Sequence, residues 1–530
     1  MILTTTISIV IANSLLLVIF LSLFKITRKA FIVNSIIILG VAIAVWYYID
    51  STLIFSKYLL SVFIPTVLGN TLFYVYFQKK TETSIKEKYK VKFKLKKGGL
   101  IIDNIKRGAS VIGAAGSGKT ESVIYNFLQH FSKHSFCGII HDYKDFELTE
   151  IAYPLFKNSK LNFYTISFDP IYYRVNPIAP RYIPNEESVN EISRVIMENL
   201  LEQKEAGASG ATKFFNDAVE GLIGGLIWKL KTDYPKYCTL PHVIAIYQYL
   251  NTESLVAFLN SNSISKSMAN AFISGVPSER QTAAVKSTLA NAFKKISTQK
   301  IFMVLSKDEV PLDINNEKNP GIISIVNNPK YETAYAPIIA TIIHTVTKQM
   351  SIRNQQSSFI LMEEAPTIKL LNMHRIPATL RSYDIATIYV MQDKVQNDIL
   401  YGDKISKAIL SNLSYQFFGK ANDPDTAKYY ERFFEIVKKK TISINKGFNL
   451  NFDTRVTKGE KEVSKIRADE FFRLKQGEFI AFADGKDKKV QFTLQKIIKE
   501  IPKSLLKYSD EDLKLNFERI HKEIQSLFRR

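Results

Sequence analysis

Residues 109–120 read ASVIGAAGSGKT, and this stretch decides the fold. Ala109–Ile112 is a short apolar run of the kind that forms a buried strand. Gly113–Thr120 then matches the full pattern G-x-x-x-x-G-K-[ST]. The next residues, 121–131, have the composition of a helix. A strand, a glycine-rich loop and a helix in this order predict a phosphate-binding loop within an α/β domain.

Each residue type in the loop suits the binding of phosphate. The loop consists of Gly113, Ala114, Ala115, Gly116, Ser117, Gly118, Lys119 and Thr120. Its glycines let backbone N–H groups approach the phosphates, and the dipole of the following helix attracts anions. We expect Lys119 to reach the β- and γ-phosphates and the Thr120 hydroxyl to hold Mg²⁺. The predicted ligands are therefore ATP and Mg²⁺.

Two carboxylates follow another apolar run, 359–362, and complete the predicted site. In a nucleotide site one acid binds Mg²⁺, directly or through water, and another activates the attacking water. The usual pair is Asp-Glu, whereas this chain has Glu363 and Glu364. Position therefore assigns Glu363 to the metal and Glu364 to the base. An exposed acidic pair that only opens a helix is the alternative interpretation.

A third apolar run, Ile385–Met391, ends at Gln392. Parallel strands end at one edge of a sheet, and ligands bind at that edge. We therefore expect Gln392 to sense the γ-phosphate or to orient water.

The spacing of these motifs indicates an inserted domain. About 240 residues separate the loop from the acids. Within this separation, residues 186–300 have helical patterns throughout. Strand-like runs at 137–141, 161–167 and 322–326 lie on both sides. We predict that residues 109–185 and 301–500 form a nucleotide-binding domain, that 186–300 form an all-α domain, and that 501–530 contain a C-terminal helix.

The apolar residues are concentrated at the N-terminus. Residues 2–24, 30–49 and 58–77 are uncharged, and about 20 helical residues cross a bilayer. We predict a transmembrane anchor over 1–78 with three helices, or with two if 58–77, which contains Pro65 and Gly69, is re-entrant or interfacial. The basic residues in 25–29 and after 78 place these segments in the cytoplasm.

A basic segment, 79–108, follows the predicted anchor. Lysines alternate with apolar residues from Lys86 to Lys96, which predicts a strand with one lysine face and one apolar face. Gly98 and Gly99 then turn the chain into a hairpin. Its lysines either guard an edge strand or contact anionic membrane lipid or nucleic acid.

The amino-acid composition excludes several classes of protein. Lys and Arg number 71 and Asp and Glu number 50, so the 530-residue chain carries a net charge of +21. This excess indicates an anionic partner. A hydrophobic content of 46% excludes a mostly disordered chain. Two cysteines, Cys137 and Cys238, exclude a disulfide scaffold and a zinc site made only of cysteine.

Further blocks along the chain carry a resemblance to a known family. They are HDYKDFE at 141–147, VNPI at 175–178, FILMEEAPTI at 359–368, TLRSYDIATIYVMQD at 379–393, NDPDTAKYYERFF at 422–434 and RADEFFRLKQGEFIAF at 467–482. With the loop at 113–120, their order resembles the type IV coupling proteins, the membrane-anchored ATPases of conjugation and type IV secretion. Glu363 in place of Asp departs from that pattern, and a third membrane span would be unusual in it.

The resemblance implies a RecA-like P-loop ATPase domain with an inserted all-α domain, assembled as a homo-hexamer in the bacterial inner membrane. Such proteins receive a DNA strand, single-stranded and bound by a relaxase, and pass it to the components of the secretion channel. Nucleotide then binds between subunits, so Arg381 is expected to contact the γ-phosphate of a neighbour as an arginine finger. A surface role remains the alternative for Arg381. For the whole chain, the alternatives are a coupling ATPase for protein effectors and a non-hydrolysing receptor or scaffold.

Overall fold

The computed structural model describes residues 2–26, 29–201, 210–446, 454–493, 495–503 and 508–529. Contacts divide the chain into two compact units, Met1–Lys90 and Val91–Arg530, and each is described by itself.

The strands are β1 Val91–Phe93, β2 Leu100–Ile102, β3 Ala109–Ile112, β4 Cys137–Asp142, β5 Asn162–Ile166, β6 Gly321–Val326, β7 Ser358–Met362, β8 Ile385–Met391, β9 Tyr415–Phe418, β10 Ile436–Lys446, β11 Thr454–Ser464, β12 Glu478–Ala483 and β13 Lys486–Gln491.

The α-helices, besides short 3₁₀ and π-helical turns, are α1 Ile2–Ile26, α2 Ala30–Tyr48, α3 Thr52–Tyr58, α4 Ile64–Tyr89, α5 Tyr125–Lys133, α6 Thr149–Phe156, α7 Glu186–Leu200, α8 Gly210–Asp233, α9 Leu240–Tyr249, α10 Thr252–Asn260, α11 Ser263–Met268, α12 Asn270–Gly275, α13 Glu279–Ile296, α14 Gln299–Val304, α15 Glu332–Met350, α16 Ile376–Leu380, α17 Lys394–Tyr401, α18 Asp403–Ser411, α19 Pro424–Glu431, α20 Ala468–Phe472 and α21 Asp510–Phe528.

A nine-stranded sheet organises the larger unit, in the order β13-β12-β9-β3-β8-β7-β4-β6-β5. The seven strands from β9 to β5 are parallel, and β12 and β13 add an antiparallel edge. All residues of β3, β4, β6, β7, β8 and β9 are buried, as expected for parallel strands covered on both faces. The predicted α/β class is confirmed.

Between β5 and β6 the chain is helical. The described residues of 186–304 form α7 to α14 and a 3₁₀ turn, with no strand among them. Two glycines let α8 approach its neighbours closely. A Cβ atom on Gly221 would lie 2.4 Å from the carbonyl oxygen of Met268, and one on Gly225 would lie 2.9 Å from that of Ser265. The backbones of α8 and α11 therefore touch at these glycines.

The C-terminal helix α21 begins directly after Ser509. Ser509 accepts a hydrogen bond from the backbone N–H of Asp512, whose carboxylate accepts one in return from the Ser509 backbone. The apolar face of α21 packs on the helical region, where the rings of Phe302 and Phe517 lie 4.6 Å apart.

The N-terminal unit is helical over most of the stretch between the apolar runs 30–49 and 58–77. Residues 52–57 belong to α3, so three residues separate α2 from α3. A π-helical turn, Leu59–Phe63, joins α3 to α4 directly before Pro65, whose missing N–H and bulky ring disturb a regular helix.

Two helical segments of this unit, Ala30–Tyr48 and Thr52–Gln78, are long and apolar enough to cross a membrane. In α1, the corresponding described stretch is the shorter Val10–Phe24. Only 6% of the apolar window of Thr52–Gln78 is buried, which is unlike the core helix of a soluble protein.

The basic segment is only partly the strand that alternation predicts. Lys86 to Tyr89 belong to α4 rather than to a strand, and β1 covers only Val91–Phe93. Lys and Glu favour helix, and no β-branched residue occurs from Lys86 to Lys90, so local propensity outweighs the alternation. The predicted hairpin itself is present, because β1 pairs with β2 antiparallel and buries Val91 and Phe93. The side chains of 79–86 lie outside the described residues.

The contact between α8 and α11 can be tested with Gly221→Ala. Glycine to alanine in a helix usually stabilises by about 0.5–1 kcal/mol. Here the methyl group would meet a backbone oxygen, and we expect a net loss of about 1–3 kcal/mol. Thermal unfolding of the full chain followed by circular dichroism measures it. Gly224→Ala is the matched control, because its nearest neighbour is the Ser193 hydroxyl at 3.3 Å, which can rotate away. Equal unfolding temperatures of the two variants would contradict the close approach.

Candidate functional site: a nucleotide cleft at the carboxyl edge of the sheet

The glycine-rich loop starts where β3 ends, and the neighbouring strands fix its first residues. The N–H of Gly113 donates to the Met391 carbonyl at 3.2 Å, and the N–H of Ala114 donates to the Lys420 carbonyl at 2.7 Å. The loop then turns through Gly116 and Gly118 at φ +74° and +84°, a left-handed conformation that favours glycine. A Cβ on Gly118 would also lie 3.1 Å from the backbone nitrogen of Gly477.

Lys119 is buried behind the loop. Its Nζ donates to the carbonyl oxygen of Gly113 at 2.5 Å, so the side chain folds back across the loop. Burial lowers the pKa of Lys119, while the charges of Glu364 and Glu363 oppose this shift. Ser117 Oγ is buried and has no hydrogen-bond partner among the described residues. The loop therefore presents a cation and an unsatisfied hydroxyl, which suit an anionic ligand.

The two glutamates follow β7, but β7 is not adjacent to the loop strand. β8 lies between β3 and β7, which places Gln392 between the loop and the acids. Gln392 Nε2 donates to Glu364 Oε1 at 3.1 Å. Glu364 has φ +44°, which is rare for a residue with a side chain and often marks a functional site. The structure therefore brings Lys119, Glu363, Glu364 and Gln392 to one edge of the sheet.

Lys144 is the residue whose part the sequence analysis did not recognise. Its Nζ lies 3.3 Å from Glu364 Oε1 and 3.7 Å from Glu363 Oε1, so one ammonium group bridges both acids. In the sequence it belongs to the block HDYKDFE at 141–147. Its position after β4 results from the pairing of β4 with β7, which no local pattern reveals.

Burial strongly raises the pKa of Glu363, the first of the two acids that follow β7. Glu363 is 2% exposed, and burial raises its pKa to about 8, with the nearby Asp142 charge adding to the effect and Lys144 opposing it. Burial also raises the pKa of Asp142 to about 6, although the N–H groups of Leu148 and Thr149 donate to it. Without a bound cation, Glu363 therefore holds a proton near neutral pH.

A cleft of about 450 Å³ opens in front of the loop. Its lining includes the loop residues from Ala115 to Thr120, and Lys144. Its other walls were not recognised from the sequence, and they are formed by Glu121, Glu147, Ile151, Gln476, Gln495, Ile497 and Lys499. Hydrogen bonds fix the last of these walls: Lys94 Nζ donates to Gln495, and Lys499 Nζ donates to Glu150 at 2.5 Å.

Arg381 lies away from this cleft. It is exposed in the turn Arg381–Tyr383, just before β8, whereas Gln392 follows the same strand. The seven residues of β8 separate the two positions by roughly 20 Å at about 3.3 Å per residue. Arg381 is therefore at the opposite edge of the sheet from the loop of its own chain.

The family profile described as Type IV secretory system Conjugative DNA transfer matches residues 74–501. The chain belongs to this family. The match includes the loop, both glutamates, Gln392 and Arg381, and it confirms the resemblance seen in the order of the sequence blocks.

Solved structures of conjugative coupling proteins share the fold. The unbound monoclinic form of the bacterial conjugative coupling protein TrwBdeltaN70 superposes with a TM-score of 0.61 at 12% identity, covering 77% of this chain and 90% of that one. The plasmid coupling protein TrwB in complex with ADPNP gives 0.58 at 12% identity over 76% and 89%. TrwB in complex with ADP and Mg²⁺ gives 0.58 at 13% identity over 74% and 86%. The comparison with curated protein sequences gives no match.

The burial of Glu363 predicts how the stability of this family member depends on pH. The folded pKa of about 8 lies above the ordinary value of 4.5, so the folded chain holds the extra proton. Binding of this proton stabilises the folded chain. The stabilisation is fully present below about pH 4.5 and is lost as the pH rises through about 8. Glu363→Gln stays neutral, so we expect it to raise the unfolding temperature by more at about pH 8.5 than at about pH 6, without nucleotide.

The exposed Glu317→Gln is the control for this measurement, because it removes the same charge from the surface. Thermal unfolding of both variants at the two pH values checks the prediction. An equal effect of Glu363→Gln at both would show that the buried carboxyl does not change its protonation.

Proposed function

We propose that this chain is a membrane-anchored ATPase that couples ATP hydrolysis to delivery of relaxase-bound DNA into a type IV secretion channel. The observation that carries the proposal is the convergence of the loop, Lys119, Glu364 and Gln392 at one sheet edge in a member of the conjugative DNA transfer family. Complexes of the similar protein TrwB with ADPNP and with ADP and Mg²⁺ support ATP and Mg²⁺ as ligands of this fold.

In the proposed site the residues have separate roles. The N–H groups of Ala115, Gly116 and Gly118 and the ammonium of Lys119 hold the β- and γ-phosphates. Glu364 accepts the proton of a water molecule whose oxygen attacks the γ-phosphorus, and the bond to the leaving oxygen of ADP breaks. Gln392 orients Glu364 through their hydrogen bond. Lys144 balances the charge of Glu364 before the substrate arrives.

The residues present also fit a magnesium ion that binds together with nucleotide. No group of three or more His, Cys, Asp or Glu side chains that could hold a metal occurs among the described residues. Magnesium commonly takes one or two carboxylates, water and the substrate phosphates. Thr120 and Glu363 would hold the ion, which neutralises phosphate charge when bound.

The position of Arg381 supports action across a subunit interface. It lies at the edge opposite the loop, so it can serve as an arginine finger only in the site of a neighbouring copy. Such a head-to-tail contact closes into a ring when the rotation between copies allows it. A homo-hexamer of this kind would have nucleotide at each interface.

The N-terminal unit supports anchoring in the bacterial inner membrane. Ala30–Tyr48 and Thr52–Gln78 are the candidate spans, and α1 is proposed as a third. Asn34 and Asn70 hydrogen-bond to each other at 3.1 Å, which is typical of polar groups that join helices within a bilayer. The basic residues after Gln78 favour a cytoplasmic position for the ATPase, next to anionic lipid. Within the ATPase, the nucleotide-binding domain would consist of residues 109–185 and 301–500, and the all-α domain of residues 186–300.

The proposal predicts ATP hydrolysis that DNA stimulates. In the detergent-purified full chain, Lys119→Ala should abolish turnover because the phosphates lose their cation. Glu364→Gln should retain nucleotide binding and lose about 10²–10⁴-fold in kcat, as expected for a lost general base. Phosphate release with and without single-stranded DNA measures both effects.

Three results would point elsewhere. Wild-type turnover in Lys119→Ala would remove the ATPase assignment. Nucleotide binding with no turnover in the wild type would indicate a receptor or scaffold. Turnover that responds to a secreted protein but not to DNA would indicate a coupling ATPase for effectors.

The interface role of Arg381 predicts complementation between two inactive variants. Lys119→Ala and Arg381→Ala should each be inactive alone. Mixed rings should regain up to about a quarter of the wild-type rate, because that share of interfaces pairs an intact Lys119 with an intact Arg381. The control mixes Lys119→Ala with Glu364→Gln, whose intact residues never meet in one site. Recovery in neither mixture would contradict action in a neighbour.

A further inference from the structure

The strands β10 and β11 form a ribbon that belongs to no larger sheet. They pair antiparallel with each other over eleven residues each and with no other strand among the described residues. Side chains are described for residues 436–442 and 458–464, the half of the ribbon next to the main sheet. Most of these side chains are exposed, on both faces. A two-stranded ribbon with both faces in water is marginally stable, which favours a role in contact with a partner.

Strand pairing divides these side chains into two chemically different faces. Residues directly opposite each other share a face, and the face alternates at each step. The first face, called here the lysine face, carries three opposed pairs: Val437 with Val463, Lys439 with Lys461, and Thr441 with Gly459. It has no acidic residue and a charge of +2 over the described residues.

The second face, called here the paired face, balances most of its charge. Lys438 is opposite Glu462, and Lys440 is opposite Glu460. Ile442, which is 63% exposed, lies opposite Lys458 on the same face. Opposite charges across the strands stabilise a ribbon, so two of the three lysines described on this face are compensated within it, whereas Lys458 has no opposed acid.

The lysine face lacks this compensation. Lys439 and Lys461 are exposed and directly opposed, and like charges at such positions destabilise a strand pair. Among the described residues neither takes part in an ion pair, whereas Lys465 at the base of the ribbon bonds both Glu435 and Asp487. An arrangement that costs stability in the free protein becomes favourable when an anion binds between the two ammonium groups.

The chemistry of the lysine face fits nucleic acid better than protein. Its only apolar side chains, Val437 and Val463, are half-buried at the base of the ribbon. Beyond them it offers two ammonium groups and the hydroxyl of Thr441, which are groups that bind phosphate oxygens. Lysine is depleted from the cores of protein interfaces, and the two exposed isoleucines that would suit such an interface, Ile436 and Ile442, lie on the paired face.

We propose that the lysine face of the ribbon binds the phosphate backbone of the transferred DNA strand through Lys439 and Lys461. This inference rests on the proposed function, because it assigns DNA contact of the ATPase to a particular surface. The base of the ribbon is held to the edge strand β13 by the bond between Lys465 and Asp487 at 2.8 Å. The contact is therefore attached to the sheet that carries the nucleotide cleft.

The test uses the detergent-purified full chain and a fluorescent single-stranded oligonucleotide of about 30 nucleotides. Anisotropy gives the affinity over a range of salt concentrations for Lys439→Ala/Lys461→Ala and for the matched control Lys438→Ala/Lys440→Ala. Both double variants lose two positive charges from the same ribbon, but from opposite faces. Loss of two phosphate contacts should reduce the slope of log affinity against log salt by about 1.4, at about 0.7 per contact.

We expect the reduced slope only in Lys439→Ala/Lys461→Ala, with ATP turnover in the absence of DNA unchanged in both variants. Equal reductions in both would show that net charge alone matters and would overturn the inference. Unchanged binding together with a smaller oligomer would instead assign the lysine face to contact between copies. If the wild-type chain binds no DNA, the proposed function fails; if it binds DNA and the slope is unchanged in the variant, only the ribbon assignment fails.

Discussion

The parallel pairing of β3 between β8 and β9 is the constraint on which the rest of the site depends. Its register places Ile112 opposite both Met391 and Phe418, so three strands end together. The first two loop residues then hydrogen-bond to the backbone just where the neighbouring strands finish. Because the three strands end at the same level, the loop, Gln392 and the residues that follow β9 lie together at one edge of the sheet.

Charge balance is the second organising feature. The site gathers the carboxyl groups of Asp142, Glu363 and Glu364 in a buried region, where ionised acids are costly unless they are compensated. The protein compensates with Lys144 and with protonation of Glu363. An incoming magnesium nucleotide would bring both positive and negative charge, so its binding would redistribute the protons and ion pairs already present.

Much of the fold and site could be predicted from sequence because the signals are local. The loop motif specifies its own conformation, and the run from 385 to 391 is the strand β8 residue for residue. Features that depend on pairing between distant segments could not be predicted. The interposition of β8 between β3 and β7, the bridge by Lys144 and the cleft wall at Gln495 to Lys499 all arise from contacts with no sequence pattern. The alternation of lysines wrongly predicted a strand at Lys86 to Tyr89. Helix α4 continues through these residues because their helix propensity is high.

The position of Arg381 limits how many complete nucleotide sites an assembly of copies can contain. If it acts on a neighbour, each chain carries two incomplete halves of a site, one at each edge of its sheet. An isolated chain then has no complete site, and an open row of copies always has one site fewer than it has members. Only a closed ring completes the site of each member, so closure itself would be the event that brings the last site into operation.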